Sequence, residues 1–294
     1  MNALQLGAAE DQDLIKSAID QLEKFIGNSG EAGAVSQFGG KPLPPESPLV
    51  QYVNAVGTDL VPQIRSSRRD FGYRFGVLDS SVINAFALPN GSIYVTTGLL
   101  SKMNSHDELA NLLGHELVHV TEHHGVNQIG VNTASELALS ALFTKALAGK
   151  LDAEDAELGS QISQQLLSSG YSRANEAESD EIGQNLAHQS GYDARGMADL
   201  MNVFLALEEE EPSSVDKLFR SHPWSGERVQ NAEKRAGELS LTPVKQKRSQ
   251  LTDQISFSQI KGRATSAVST STLPAVFLGV SVGLLAIVLY MRYK

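Results

Sequence analysis

The sequence predicts an α+β fold, mainly helical, with one small antiparallel sheet and an apolar helix at the C-terminal end. Three observations predict it. Apolar residues recur at helical spacing over most of the chain after Gly98, short strand-like runs flank the turn Pro89-Asn90-Gly91, and Leu273 to Met291 is almost wholly apolar and uncharged. Hydrophobic residues make up 41% of the 294, enough for a sizeable core.

Taken in order, Leu14, Ile15, Ile19, Leu22 and Ile26 mark an amphipathic first helix. Gly27 to Pro48 is rich in Gly, Pro and Ser and reads as a linker. The helical pattern returns from Pro48 to Ile64. Phe71 to Leu78 and Ser81 to Leu88 read as strands, and Ile93-Tyr94-Val95 as the return strand of a hairpin. Ser105 and Glu108 have capping-box spacing for a helix running to about His124, with Gly125 as its stop. Further helices are expected at 131–149, 153–169, 173–190, 194–210 and 225–239. The first of these is apolar, but Ser135, Glu136, Thr144 and Lys145 interrupt it, so it reads as amphipathic packing. The expected organisation is an N-terminal helix and linker (1–47), a main domain (48–240), a polar tether (241–272) and the apolar segment (273–291).

At a rise of ~1.5 Å per residue, that last segment approaches a bilayer core of about 30 Å. It predicts a single-pass C-terminal membrane anchor. Gly279 and Gly283 inside it form a G-x-x-x-G pair, a spacing that lets two helices approach, so a homo-oligomer is among the expected partners. Met1 to Glu10 lacks the positive charge and apolar length of a secretory signal, which would leave residues 1–270 in the compartment of synthesis. The net charge of −10 argues against a nucleic-acid partner held by phosphate contacts. The absence of cysteine excludes disulfides, thiolate metal sites and a thiol nucleophile.

The chemistry concentrates at His115-Glu116-Leu117-Val118-His119, an H-E-x-x-H motif on the capped helix. Positions i and i+4 share a helix face, so both imidazoles can reach one ion. Glu116 lies about 100° round the helix, offset for a ligand but placed to take a proton from a water. Hydrolysis needs that pairing, because zinc brings the pKa of a bound water towards ~7 and a carboxylate accepts its proton. The apolar neighbours Leu109, Leu112, Leu113, Leu117, Val118 and Val120 bury the helix, and buried His and Glu need partners. His119 to His123 also reads as the inverted motif H-x-x-E-H. It ranks lower, because His123 sits at the polar helix end, where a histidine suits the helix C-terminus. For a third ligand, Glu176 and Asp180 share a helical face. One could ligate while the other orients a ligating histidine. Glu178 and Glu181 read as a solvated acidic face.

Asn84 to Gly91, Thr97 to Leu100, His115 to His119 and Glu176-x-x-Ser179-Asp180, in that order, resemble the zinc metallopeptidase family that includes HtpX and the CAAX prenyl endopeptidases, over about Pro48 to Ala236. The resemblance implies a zincin-like fold with one Zn2+ per chain, Glu176 as third ligand and Asp180 supporting a histidine. Ser179 stands where the family usually has Ala. It also implies that His222, in Ser221-His222-Pro223, stabilises the oxyanion or gates the metal, with Arg228 matching the family's arginine. The chain lacks the several spanning helices of the prenyl proteases. The expected function is a membrane-anchored zinc metalloendopeptidase cutting unfolded or membrane-associated proteins, which add to the Ile83 to Leu88 strand edge. The alternative is a membrane-tethered zinc-binding adaptor or chaperone-like protein without turnover, against which the intact Glu116 speaks.

Overall fold

A computed structural model describes residues 3–66, 68–128, 133–223, 226–244 and 248–271. It opens on one long helix, α1 (Ala3–Gln37), which runs straight through the Gly-rich segment expected to be a linker. The glycines are helix contacts. A Cβ at Gly30 would lie 2.1 Å from the Ser163 Cβ, and one at Gly27 would lie 2.4 Å from the Asn90 nitrogen. Tertiary packing here overrides the weak helix propensity of glycine.

Strand β1 (Lys41–Pro42) and helix α2 (Pro48–Leu60) follow, then β2 (Arg74–Asp79), β3 (Ala85–Ala87) and β4 (Ser92–Thr96). The sheet order is β1-β2-β4-β3. β3 and β4 form the expected hairpin, with Gly91 at φ +84°, but β2 pairs with β4 in parallel, Val77 opposite Val95. The sheet is therefore mixed, not antiparallel. The reason lies in the crossing loop 80–84. Thr96 Oγ1 donates to the Val82 carbonyl at 2.5 Å and Thr97 Oγ1 to that of Ser80 at 3.0 Å, which carries the chain over the end of β4 to its far side.

The remainder is helical: α3 (Thr97–Lys102), α4 (His106–Thr121), α5 (His124–Gln128), α6 (Thr133–Leu147), α7 (Ala156–Ser169), α8 (Arg173–Gln189), α9 (Gly196–Glu210), α10 (Pro212–Ser221), α11 (Gly226–Leu239), α12 (Gln250–Gln254) and α13 (Phe257–Ser271). α10 has no counterpart among the expected helices. The stretch expected to be a polar tether holds α12 and α13, and α13 buries Phe257, Ile260 and Ala264 in the main core. That core lies between the sheet and α2, α4, α8 and α9. A second cluster joins α1 to α6 and α7 through Leu22, Ile26, Leu142 and Ile162. The far end of α1 covers the sheet, where Phe38 stacks on Phe86 with ring centroids 4.6 Å apart.

Among the described residues no helix is long and apolar enough to cross a membrane. Even the apolar α6 has 15 residues, short of the ~20 a span needs. This overturns the expected transmembrane helix, the single-pass anchor and the membrane localisation drawn from it. The segment 273–291 on which they rested lies outside the described residues.

Candidate metal centre

α4 starts at a cap. Ser105 Oγ accepts from the Glu108 amide at 3.1 Å, and Glu108 Oε2 accepts from the Asn104 amide at 2.8 Å, one residue before the position a capping box would use. From Leu109 to Thr121 every residue of the helix is buried. α8 is capped by Ser172, whose Oγ accepts from the Asn175 amide at 3.1 Å. Its inner face carries Glu176, Asp180 and Gly183, and it crosses α4 at a point where neither helix has a side chain. A Cβ on Gly114 would lie 2.7 Å from the Gly183 carbonyl oxygen, and one on Gly183 would lie 2.7 Å from the His115 nitrogen. That backbone contact lets His115 and His119 of α4 face Glu176 and Asp180 of α8 at short range.

His115 Nε2 and His119 Nε2 are 3.0 Å apart and lie 3.6 and 3.4 Å from the two Glu176 oxygens. His222, just past α10, adds its Nδ1 at 3.3 Å from His115 Nε2 and 3.1 Å from Glu176 Oε1. One donor atom from each of these four residues lies within 4.8 Å of the others, and all four residues are buried. A tetrahedral ion with bonds of ~2.1 Å separates its donors by about 3.4 Å, so the spacing of His115, His119 and Glu176 fits one. Imidazole nitrogens turned towards one another also need a cation or protons between them, and a set of nitrogen and carboxylate donors suits a divalent metal.

The surrounding groups hold this set in place. Asp180 Oδ1 accepts from His115 Nδ1 at 2.9 Å, which directs His115 Nε2 inwards. Arg228, on α11, donates from Nε and Nη2 to Asp180 at 2.7 and 2.8 Å and from Nη1 to Glu176 at 2.6 Å. Burial raises both carboxyls, but for Glu176 the His222 and His115 rings outweigh it. The hydrogen bonds of His115 and Arg228 do the same for Asp180, and both carboxyls end below their usual range. Burial lowers His119 well below a free imidazole. His222 is lowered by burial and raised more by Glu176 and Glu116, so it ends above its ordinary value.

Glu116 differs from the other acids. It is 1% exposed, no side chain hydrogen-bonds to either carboxylate oxygen, and the donor turned towards it is the backbone amide of Ala87 on β3. Its nearest charged neighbour is His222, with Nε2 3.5 Å from Oε1. Burial raises its carboxyl above the usual value. A buried carboxylate with so few partners costs stability and marks a place where another group is to be met.

The structure thus gathers His115, Glu116, His119, Glu176, Asp180, His222 and Arg228 in one buried cluster. It leaves the inverted motif aside. His123 points away to α1, its Nδ1 2.9 Å from Glu23 Oε1. α4 also ends at Thr121, earlier than expected, because His123 itself turns the chain with φ +57° while Gly125 falls inside α5. Glu181 is 70% exposed, as a solvated acid should be, whereas half-exposed Glu178 accepts from His124 Nε2 at 3.1 Å. Sequence reasoning missed two side chains. Tyr171 stacks on His119 with centroids 3.6 Å apart. His124 Nδ1 stands 3.0 Å from His119 Nδ1. No helical periodicity links either to the motif. The available signal for Tyr171 is Gly170 before it, at φ +65°, where a Cβ would lie 2.2 Å from the Arg220 oxygen. The loop before α8 thereby lies against the loop bearing His222, and the Tyr171 amide donates to Ser221 O at 3.0 Å.

The model of peptidase family M48 matches residues 49–236. The beta-barrel assembly-enhancing protease of Yersinia pestis is 29% identical over 204 residues, covering 67% of this chain and 40% of that protein. The mitochondrial metalloendopeptidase OMA1 of Schizosaccharomyces pombe is 28% identical over 217 residues, or 69% and 61%. The metalloprotease LoiP of Escherichia coli is 34% identical over 187 residues, or 62% and 67%. The chain spans about half the length of the first two. With a match over most of its length, all of it around the cluster of α4 and α8, the chain belongs to peptidase family M48, a family of metallopeptidases.

Proposed function

We propose that the chain is a zinc-dependent metalloendopeptidase that cuts unfolded protein segments, with residues 48–240 as its peptidase domain. His115, His119 and Glu176 hold the zinc, Glu116 is the general base, and Asp180 and Arg228 keep the ligand set aligned. The observation that carries this is the Glu116 carboxylate, buried beside the converging imidazoles with no side chain hydrogen-bonded to it. A site that only stored metal would have no use for it.

Zinc, when bound, polarises the scissile carbonyl and acidifies water. Glu116 takes the water's proton and returns it to the leaving amine. Its raised pKa brings it closer to the working pH, which favours both transfers. His222 Nε2, beside Glu116, supplies a donor for the charge that develops on the carbonyl oxygen. β3 has β4 on one side, no strand on the other among the described residues, and α4 beside it. An extended segment adding to that edge binds through its main chain, which selects for unfolded substrate. The apolar pocket of Leu112, Met197, Leu200, Met201, Phe204 and Leu218 opens beside Glu116 and His222 and suits an apolar group next to the cut bond. One relative carries the name of a metalloendopeptidase, which supports internal cleavage.

The test is cleavage of an unfolded protein by purified chain, wild type beside Glu116→Gln, with zinc content measured on both. The expected result is about one zinc on each and loss of turnover by more than about a hundredfold in the variant. Zinc on both with cleavage by neither would favour the non-catalytic adaptor.

A further inference from the structure

The two histidines of the motif are held differently. His115 Nδ1 meets a carboxylate directly, that of Asp180. His119 Nδ1 meets a third imidazole, and that imidazole meets the carboxylate. His119 Nδ1 is 3.0 Å from His124 Nδ1, and His124 Nε2 is 3.1 Å from Glu178 Oε2. We propose that His124, oriented by Glu178, is a positioning residue that fixes the tautomer of His119 and thereby the affinity and geometry of the metal site. This rests on His119 being a ligand, as proposed above.

The direction of the chain follows from its end. An ionised carboxylate only accepts, so His124 Nε2 carries the proton given to Glu178. With the rings neutral, His124 Nδ1 is then an acceptor for the hydrogen bond that His119 Nδ1–H donates. That leaves the His119 Nε2 lone pair facing His115 and Glu176. Without His124, His119 could carry its proton on either nitrogen, and the tautomer with hydrogen on Nε2 cannot bind metal there. Ser179 Oγ lies 3.5 and 3.4 Å from the two Nδ1 atoms, longer and therefore weaker than the 3.0 Å contact between the rings.

The backbone is built for this contact. On a continuous helix His124, five residues after His119, would lie about 140° round the axis from it. α4 instead stops at Thr121, and His123 adopts φ +57°, a left-handed conformation that non-glycine residues rarely take. α5 then starts at His124 and turns that ring back under His119, where Tyr171 packs against the other face of the site. The contact of His123 with Glu23 of α1 holds the break in place. His124 is 3% exposed, so the bond is shielded from competing water.

The experiment measures zinc affinity by competition with a chromophoric chelator on the whole chain, with the melting temperature of the metal-free protein alongside. His124→Phe keeps an aromatic ring and removes the acceptor. His124→Asn loses the ring but puts an amide oxygen where Nδ1 stood. The expected result is a tenfold to hundredfold loss of affinity in His124→Phe, recovery to within a few-fold of wild type in His124→Asn, and no change in Ser179→Ala. Glu178→Ala, at a half-exposed site, is expected to lose a few-fold. Wild-type affinity in His124→Phe would overturn the proposal. So would equal losses in His124→Phe and His124→Asn at unchanged metal-free melting temperature, or a loss in Ser179→Ala as large as that in His124→Phe. A wild-type chain that binds no zinc would instead overturn the metal-site reading itself.

Discussion

The crossing of α4 with α8 and the crossing of α1 with α7 are both made with glycine, and they differ in what the glycine touches. Where α4 crosses α8, a Cβ at Gly114 or Gly183 would strike backbone: the Gly183 carbonyl in one direction, the His115 nitrogen in the other. Where α1 crosses α7, a Cβ at Gly30 would strike the Cβ and Oγ of Ser163, and one at Gly159 would meet side-chain atoms of Phe25 and Ser29. Backbone in a buried helix cannot yield without moving the helix, whereas a side chain can be changed. The first crossing fixes the spacing of the candidate metal donors, and the second fixes only how α1 lies on the body.

The largest expected effect tests the first crossing. Gly183→Ala should separate α4 and α8, cost about 3 kcal/mol or more, and weaken metal binding by more than about a hundredfold. Titration with zinc and thermal melting of the same sample read both. Wild-type affinity in the variant would mean that the ligand spacing does not depend on the glycine contact. Next comes Gly30→Ala, expected to cost about 1–2 kcal/mol after its gain in helix propensity, with metal affinity unchanged. Ser163→Gly should restore most of that loss by making room, a rescue that no side-chain change can give Gly183→Ala. Failure of the double variant to recover would equate the two crossings.

The smallest effect concerns the charge at the first crossing. Glu176 and Asp180 have folded pKa values below their unfolded ones, so their contribution is present above about pH 4 and is lost as pH falls through the folded values. Arg228→Leu removes a cation from both and raises both. The acid-unfolding midpoint of the metal-free protein should therefore move to higher pH, by a fraction of a unit, while Gly30→Ala leaves its pH dependence alone. A midpoint that stays put or falls would show that Arg228 does not set these acids.

The same contrast explains what the sequence could convey. The motif helix was legible because caps, apolar periodicity and the i, i+4 histidines agree, and Glu176 with Asp180 repeats that spacing on α8. The glycines of α1 were misread because Gly27, Gly30 and Gly33 look like a flexible stretch until Asn90 and Ser163 stand against them. Only non-local contact reveals them as packing. The parallel pairing of β2 with β4 is non-local in the same way, set by hydroxyl bonds from Thr96 and Thr97 to a loop whose strands read as a simple meander. α13 escaped notice because its buried residues, Phe257, Ile260 and Ala264, are few and set among Ser, Thr and Gln. His124 escaped because its approach to His119 depends on a helix break at a residue with no glycine to announce it.

The short edge strand bears on how such a protein avoids joining to itself. β3 spans Ala85–Ala87, a length of about 10 Å at ~3.3 Å per residue. Sheets that leave an edge open invite copies of themselves to stack there, and brevity is one of the ways natural proteins blunt that tendency. Three residues can take hold of a passing extended chain, yet they offer too short a template for another molecule's sheet. On the proposed reading, the chain can keep an edge free for unfolded protein, the very material most prone to aggregate, without seeding fibres of its own.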